Sequence, residues 1–426
     1  MARFFYSLLF YLITPIVLLR LLWRARKAPA YARRWRERFG WVPRVAGGKQ
    51  VIWVHAVSVG ETVAAAPLIN TLLQRYPQAV VAVTTMTPTG SERVEALFGT
   101  RVYHAYAPYD LPLAWRSFLR RVVPSLLIIM ETELWPNMIY ACRKRAIPVV
   151  VANARLSEKS AQGYKKGGSL TRAMLRSLTV VAAQNSTDGQ RFVGLGVAQA
   201  ALQITGNLKF DVELDTPMRQ RALALREQWR GLTRRPVWLA ASTHRGEDEL
   251  ILDAFARIRT QQRQLLLVLV PRHPERFDEV AALCAARQYQ VCRRSAGVLP
   301  TADDEVLLGD TMGELVSFFG ACDLTFVGGS LLPIGGHNLI EPAAWGIPVL
   351  TGPHLFNFAE VARVLQDADA LAICHNAHQI AQRVMELLDD PDAMERMGQA
   401  AMGVVAANRG ALNKTLTIVD GLLAPR

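Results

Sequence analysis

Short apolar runs rich in Val, Ile and Ala alternate with longer amphipathic segments from Gln50 onward. One series of apolar runs occupies residues 51–56, 79–87, 101–107, 125–133, 148–154, 179–184 and 201–206, and a second occupies 237–243, 264–272, 289–294, 305–310, 322–330, 347–352 and 370–375. Apolar runs of strand length joined by helical segments are typical of parallel sheets covered on both faces. Because the series occurs twice, we predict an α/β fold with two Rossmann-like domains facing a cleft.

A polar stretch separates the two series and places the linker near residues 207–232. We therefore predict a first domain at residues 45–215 and a second at 216–426, with the last helix able to return to the first domain. In open α/β sheets, ligands bind beyond the carboxyl ends of the strands. The functional side chains are expected where the apolar runs end.

An uncharged and largely apolar run of sixteen residues, Phe4 to Leu19, precedes both domains. Roughly 20 apolar residues are needed to span a bilayer, so this run is marginal. The stretch Arg20–Arg38, here called the basic collar, suits an anionic leaflet, and the positive-inside rule places the body in the cytoplasm. Residues 1–44 are therefore predicted to form a membrane anchor, either spanning or monotopic. A signal peptide cleaved at Ala28–Ala30 and a buried core helix stay as alternatives.

The charge is concentrated at the amino terminus. Residues 1–44 hold ten Lys or Arg and one Glu, a net charge of +9 out of +13, which leaves +4 for the rest. A nucleic-acid-binding body is excluded on this basis. Apolar residues make up 51% of the chain, which indicates a packed globular protein. The five cysteines are odd in number and lack C-x-x-C spacing, which favours a reducing compartment.

Carboxylates and a lysine follow apolar runs of the first domain. Glu61 comes after the first run, just before a predicted helix at Thr62–Arg75, and is either a catalytic base or a partner of the helix dipole. Glu131 and Glu133 follow a very apolar run, and strand alternation predicts that both face the same side. Lys209 lies near the domain junction, where it is either a surface residue or a phosphate ligand.

The second domain offers cations and glycine-rich turns. Arg272 and His273 end one apolar run, and the segment 309–314 is a turn that opens a helix, where free N–H groups take an anion. A Gly/Pro loop leads into a predicted helix at Asn338–Trp345, in which Glu341 is placed to accept ribose hydroxyls. Neither a G-x-G-x-x-G motif nor a P-loop is present, which disfavours an NAD or ATP site. The histidines are scattered, and no metal is predicted.

Six segments carry a resemblance to a known family: VSVGET (57–62), METELWPN (130–137), TGNLKFD (205–211), PRHPERF (271–277), DTMGEL (310–315) and GGSLLPIGGHNLIEPAAWGIPVLTGP (328–353). Together they resemble the 3-deoxy-D-manno-octulosonic acid (Kdo) transferases, inverting glycosyltransferases of the GT-B fold in lipopolysaccharide assembly. The resemblance extends from the hydrophobic amino terminus to near residue 400. It implies CMP-Kdo as donor, the tetraacylated lipid A precursor at the inner membrane as acceptor, and no cofactor.

The resemblance also implies residue roles. Glu61 matches the general base of the family, and Glu131 and Lys209 match residues that stabilise the transition state. The CMP contacts match Arg272, His273, Met312, Gly313, Glu314, Asn338, Leu339, Ile340 and Glu341. A nucleotide-sugar epimerase of the same fold and a membrane-tethered nucleotide-sugar-binding protein are the competing interpretations.

Overall fold

The computed structural model describes residues 1–27, 33–45, 47–231 and 234–424, so the alternative cleavage site at Ala28–Ala30 lies outside the described residues. The chain divides into two compact units. The first unit comprises Met1–Asp211 together with Arg409–Arg426, and the second comprises Val212–Asn408.

Each unit is built on a seven-stranded parallel sheet of described residues. The strands are β1 (Val51–His55), β2 (Val80–Thr85), β3 (Tyr103–Tyr106), β4 (Leu126–Met130), β5 (Val149–Ala154), β6 (Val180–Ala183), β7 (Leu202–Ile204), β8 (Val237–Thr243), β9 (Leu266–Pro271), β10 (Val291–Arg293), β11 (Val306–Leu308), β12 (Leu324–Val327), β13 (Val349–Thr351) and β14 (Leu371–Ile373). Their orders are β3-β2-β1-β4-β5-β6-β7 and β10-β11-β9-β8-β12-β13-β14. Adjacent strands are parallel throughout these sheets.

Helices connect the strands. They are α1 (Ala2–Lys27), α2 (Val59–Arg75), α3 (Pro88–Phe98), α4 (Pro112–Val122), α5 (Pro136–Arg143), α6 (Glu158–Lys166), α7 (Gly168–Leu175), α8 (Ser186–Leu195), α9 (Thr216–Arg230), α10 (Glu247–Arg259), α11 (Phe277–Ala286), α12 (Leu315–Ala321), α13 (Ile340–Ala344), α14 (Ala359–Asp367), α15 (Ala377–Asp389), α16 (Pro391–Asn408) and α17 (Ala411–Leu423).

Both faces of the first sheet are buried, which confirms the predicted α/β fold. On one face Trp53 packs with Trp115 and Phe118, and on the other Ile52 belongs to the same core cluster as Leu68. Successive strand residues point to opposite faces, so a strand covered on both sides must be apolar at every position. The second sheet likewise has a buried apolar cluster on each face.

Two helix boundaries differ from the sequence prediction. Helix α2 begins at Val59, not at Thr62, because Ser58 caps it and the small residues that follow continue the helix. Helix α13 is limited to Ile340–Ala344, shorter than the predicted Asn338–Trp345. The Asn338 side chain accepts the Ile340 N–H at 3.0 Å, so Asn338 precedes the helix, and a left-handed Gly346 (φ +70°) follows its end.

Helix α1 includes the apolar run, and Pro15 is accommodated within it. Its length and composition suffice to cross a membrane. Most of its side chains are exposed, among them Phe4, Leu12 and Leu19, so the buried-core-helix alternative is wrong.

The basic collar is not uniformly solvated. Arg38 is only 2% exposed, donates to the Met86 carbonyl at 3.1 Å and lies over the Tyr106 ring at 4.4 Å. Arg34 donates to Glu37 at 2.8 Å and to the His104 carbonyl at 2.9 Å. These two arginines therefore hold the collar onto the first unit, contrary to the expectation that the whole collar faces lipid.

The chain returns to the first unit at its end. Asp211 accepts the N–H groups of Gly410 and Leu412 at 2.6 Å each, which caps α17. Leu416 and Val419 of this helix belong to the same core cluster as Leu68 of α2. Helix α17 thus completes the core on one face of the first sheet.

Candidate active site

Glu61 lies in the first turn of α2, beyond the carboxyl end of β1. Its two carboxylate oxygens accept hydrogen bonds from the Ser58 hydroxyl and the Val57 N–H, both at 2.8 Å. The Glu61 N–H in turn donates to the Ser58 hydroxyl oxygen at 3.2 Å. This reciprocal pattern resembles a capping box, except that the backbone donor is the Val57 N–H and not that of the capping Ser58, and it gives the side chain a fixed position and a structural task.

The protonation of Glu61 is unusual for a capping residue. Only 8% of the residue is exposed. Burial raises its pKa to about 7, although the hydrogen bonds from Ser58 and Val57 act in the opposite direction, and the nearby charges of Glu133 and Glu131 raise it further. A carboxylate with a pKa near neutrality is suited to general base chemistry. The effect of burial on the pKa of Glu61 therefore exceeds that of the hydrogen bonds that stabilise its charged form.

Glu131 and Glu133 follow β4, which is the immediate neighbour of β1 in the sheet. Glu131 has a left-handed backbone (φ +55°), so strand alternation ends there, and the prediction that both residues face one side by alternation has no basis. Glu131 forms an ion pair with the half-exposed Arg155, with a nitrogen–oxygen distance of 2.8 Å.

Glu133 interacts with two aromatic side chains, Trp135 and Tyr164. The Trp135 indole N–H donates to Glu133 at 3.2 Å. Burial raises the pKa of Glu133, against the effect of this hydrogen bond, and Glu131 raises it further. Burial also raises the pKa of Tyr164 to about 12, and the charge of Glu133 adds to the effect.

Lys209 lies in a short 3-10 turn, Leu208–Phe210, that packs against α2. The turn is held by Asn153, whose side chain accepts the Leu208 N–H at 3.0 Å, and by Asn207, which accepts the Lys209 N–H at 3.0 Å. Asn153 itself has φ +53° at the end of β5. The first unit thus positions Glu61, Glu131 and Lys209 on segments that follow strand ends.

In the second unit, Arg272 and His273 are exposed beyond β9, as predicted. The Arg272 N–H donates to the Thr243 carbonyl at 2.9 Å, which aligns this segment with the end of β8. Below them, the buried Arg276 donates to the fully buried Asp248 at 2.6 Å, and Asp248 also accepts the Thr243 hydroxyl at 2.6 Å.

A histidine cluster missed by the sequence analysis surrounds this strand end. His244 and His337 have ring nitrogens 2.8 Å apart and ring planes within 7° of parallel, and His273 lies edge-on to His244. Burial lowers the pKa of His337 to about 4, and Arg272 lowers it further. Burial also lowers the pKa of His244. The only signal in the sequence for these residues is their position, since His244 directly follows β8 and His337 lies in the glycine-rich loop.

The glycine-rich loop is held in place by Glu247, a residue that the sequence pattern did not indicate. Its fully buried carboxylate accepts four backbone N–H groups at 2.7–2.9 Å: His244, Gly329, Ser330 and Leu331. Gly329 has φ +67°, and a Cβ there would lie 2.8 Å from the His337 ring. A glycine is therefore required where the loop approaches this ring.

Asn338, Leu339, Ile340 and Glu341 form the start of α13. Burial raises the pKa of Glu341, whereas hydrogen bonding by Asn338 and the charge of Arg272 lower it. The charge of Arg272 lowers the pKa of Glu341, of His337 and of His244. These residues therefore lie near Arg272, at one edge of the second sheet.

Met312, Gly313 and Glu314 form the predicted turn before α12. The Glu314 carboxylate accepts hydrogen bonds from Arg294 at 2.8 Å and from the Thr311 hydroxyl at 2.6 Å. Both bonds lower the pKa of Glu314, and the bond from Arg294 has the larger effect. Met312 is 66% exposed and Gly313 has φ +83°. The backbone of this turn and Met312 are thus open to a ligand, whereas the Glu314 carboxylate already has partners. Within the described ranges, no group of three or more His, Cys, Asp or Glu is arranged to hold a metal.

Solved structures of low identity share this fold. A UDP-GlcNAc 2-epimerase from Neisseria meningitidis, bound to UDP-GlcNAc, is 15% identical with a TM-score of 0.56, covering 88% of this chain and 100% of its own. A glycosyltransferase from Rickettsia africae is 14% identical with a TM-score of 0.54, covering 89% and 100%. The two parallel seven-stranded sheets of the described residues, together with this likeness, place the chain in the GT-B fold class.

Sequence relatives identify the family. Residues 33–212 match the family model described as 3-Deoxy-D-manno-octulosonic-acid transferase (kdotransferase), and residues 242–403 match Glycosyl transferases group 1. A 3-deoxy-D-manno-octulosonic acid transferase of Haemophilus influenzae is 43% identical over 425 residues, 99% of both chains. One from Bordetella pertussis is 38% identical over 99% of this chain and 100% of its own. The chain is a glycosyltransferase and belongs to the Kdo transferase family.

Proposed function

We propose that this enzyme transfers Kdo from CMP-Kdo to the tetraacylated lipid A precursor with inversion at the anomeric carbon, in one or two successive steps of lipopolysaccharide assembly. The observation that carries the proposal is the buried Glu61, whose pKa of about 7 fits a base that acts at neutral pH. Membership of the Kdo transferase family supports the choice of sugar.

Glu61 is proposed to take the proton from a sugar hydroxyl of the acceptor while that oxygen attacks the anomeric carbon of Kdo. The hydrogen bonds from Ser58 and Val57 fix the carboxylate, so little reorganisation is needed at the moment of transfer. Glu131 and Lys209 are proposed to stabilise the transition state. Their positions support this role, because the charge of Glu131 acts on Glu61 and the turn that carries Lys209 packs against α2.

The second unit is proposed to bind the CMP of the donor. Arg272 and His273 supply donors for phosphate, the turn at 312–314 supplies backbone N–H groups, and residues 338–341 bind the nucleoside, with Glu341 accepting ribose hydroxyls. The exposure of Arg272 and His273, and the engagement of the Glu314 carboxylate within the protein, support this division of tasks. The leaving CMP carries negative charge, which cations and a helix amino terminus stabilise.

We place the enzyme at the inner membrane with its body in the cytoplasm. The exposed apolar side chains of α1 and the exposed arginines in its last turns, Arg20, Arg24 and Arg26, support binding to anionic lipids. Because the proposed acceptor is itself a membrane lipid, such an anchor would keep the enzyme at the surface that holds its substrate.

Mass spectrometry of the lipid product tests the proposal. Purified protein is incubated with CMP-Kdo and the tetraacylated precursor, and each added Kdo raises the product mass by one sugar residue, which also counts the steps. CMP-Kdo that is bound but never transferred would instead favour the nucleotide-sugar-binding interpretation. Isomerisation of a nucleotide sugar without an acceptor would favour the epimerase.

A further inference from the structure

We propose that α1 lies along the first unit with both ends on the same side of the membrane, so that it enters one leaflet sideways instead of crossing the bilayer. The inference rests on the membrane association proposed above and concerns only how the helix is placed. Its partner is the anionic leaflet of a bilayer.

The amino-terminal end of α1 is bound to the body of the first unit. The Ser7 hydroxyl donates to Asn137 at 3.0 Å, and Ser7 is 8% exposed. Arg3 donates to the same Asn137 oxygen at 3.2 Å and lies 3.6 Å over the Tyr140 ring. Asn137 is buried in the first turn of α5, so these contacts join two helices and not a helix and a loose loop.

A third contact involves a buried carboxylate. The Tyr6 hydroxyl donates to Asp110 at 3.0 Å, and Asp110 is 4% exposed. Asp110 also accepts hydrogen bonds from the Trp115 indole and the N–H groups of Asn137 and Met138. Tyr6 therefore completes the hydrogen bonding of a group that caps α5, and removing α1 would cost this group a partner.

The carboxyl-terminal end of α1 is tied to the same unit. Helix α1 ends at Lys27, and Arg34 is already bound to Glu37 and His104. The seven residue steps from Lys27 to Arg34 reach at most about 25 Å, whereas the 26-residue helix is about 39 Å long. A spanning helix must hold its ends on opposite sides of roughly 30 Å of hydrocarbon. The contacts of Arg3 and Arg34 with one folded unit are incompatible with that separation.

Exposure along α1 indicates which side meets lipid. The partly shielded or buried positions include Arg3, Ser7, Phe10, Thr14, Val17, Leu21 and Ala25, which recur at intervals of three or four residues and so share one face. The other face exposes large apolar side chains, namely Phe4, Phe5, Leu8, Leu12, Ile16, Leu19 and Trp23. A helix that is apolar on nearly every side must be covered on every side. Arg3, Tyr6 and Ser7 contact the body of the first unit, and acyl chains would cover the exposed apolar face.

Cysteine labelling in inner-membrane vesicles tests the placement in the full-length protein. All five native cysteines are buried, so an impermeant maleimide reports on introduced cysteines. We expect Ala2→Cys and Arg26→Cys both to be labelled when the cytoplasmic face is exposed, with loss of labelling at both positions in vesicles of the opposite orientation. Labelling of Ala2→Cys from the periplasmic face alone would overturn the inference while membrane association stands. Recovery of the protein away from the vesicles on flotation would overturn membrane association itself.

Cross-linking provides a second measurement that does not depend on vesicle orientation. Arg3→Cys with Tyr140→Cys should be joined by a short bis-maleimide in membranes, because Arg3 lies over the Tyr140 ring. The matched control is Leu12→Cys with Tyr140→Cys, since Leu12 is 67% exposed and lies more than two turns further along the helix. Cross-linking of the Arg3 pair with loss in the control supports the docked helix. Loss in both pairs would overturn it.

Discussion

The imidazole rings of His244 and His337 approach with their Nε2 atoms 2.8 Å apart, a distance at which one ring must donate a proton and the other accept it. The pair therefore requires at least one neutral ring. It lies between the end of β8 and the glycine-rich loop, beside Arg272 and His273, whose charges disfavour a further proton.

The first prediction concerns acid stability. Burial lowers the pKa of His337 to about 4, below the usual 6.5, so the folded state binds fewer protons than the unfolded state between these values. The contribution of the pair is present above about pH 6.5 and is lost as the pH falls toward 4. Urea unfolding at neutral pH and near pH 5 should show a larger loss for wild type than for His337→Gln, which stays neutral. Equal losses would contradict the assignment.

The second prediction concerns the base. Glu61→Gln should retain CMP affinity and lose about 10²–10⁴ in transfer rate, because it keeps the shape and removes the proton acceptor. In wild type, kcat/KM should rise with pH through about 7, since burial raises the pKa of Glu61 to that value and only the ionised form accepts a proton. Near-normal turnover of the Gln variant would exclude Glu61 as the base.

A third prediction separates two roles of Ser58, which caps helix α2 and also donates a hydrogen bond to Glu61. Its hydroxyl donates to the Glu61 carboxylate and stabilises the charged form, so Ser58→Ala should raise the pKa of Glu61. The rising limb of the pH–rate profile should move to higher pH by about one unit. Ser157→Ala is the matched control, because Ser157 caps α6 in the same manner without contacting a candidate base. A profile that shifts in both variants, or in neither, would refute the coupling.

The fourth prediction concerns the donor. Arg272→Ala and Glu341→Ala should each weaken CMP binding by about ten- to a hundredfold, the cost of a lost charge-assisted hydrogen bond. Arg363→Ala is the control, since Arg363 is exposed on α14 and pairs only with Asp367 among its described contacts. Calorimetric titration with CMP measures all three. Unchanged affinity in both test variants would mean that the second unit does not hold the donor.

The fifth prediction divides the basic collar into two classes of arginine. Arg33 and Arg36 are exposed, so the double Gln variant should raise the fraction released from membranes by high salt and the KM for the lipid, with little change in stability. Arg34 and Arg38 are bonded to the body, so their double Gln variant should lower the unfolding free energy by about 2–4 kcal/mol. Salt extraction and thermal unfolding of both variants distinguish the classes. Identical behaviour of the two variants would contradict the division.

Sequence pattern predicted the elements whose environment is uniform. A strand such as β4 is buried along its whole length, so its apolar run leaves little choice of structure. Glu61 was found because it follows such a run. Glu247 was not, because a glutamate in the first turn of a helix is ordinary in sequence, and its four N–H partners come from segments as many as 84 residues away. Arg34 and Arg38 were misjudged for the same reason, since a run of arginines does not reveal which of them meet Tyr106 or a buried carbonyl.

The core of the first unit includes helix α17, which is synthesised only after the whole second unit. The surface of α2 that packs with Leu416 and Val419, and the Asp211 carboxylate that caps α17, are made long before the residues that cover them. A ribosome that has already released α1 must still translate the entire second unit before this part of the core can close. This part of the first unit's core is therefore the last to be completed, after every strand of both sheets has been made.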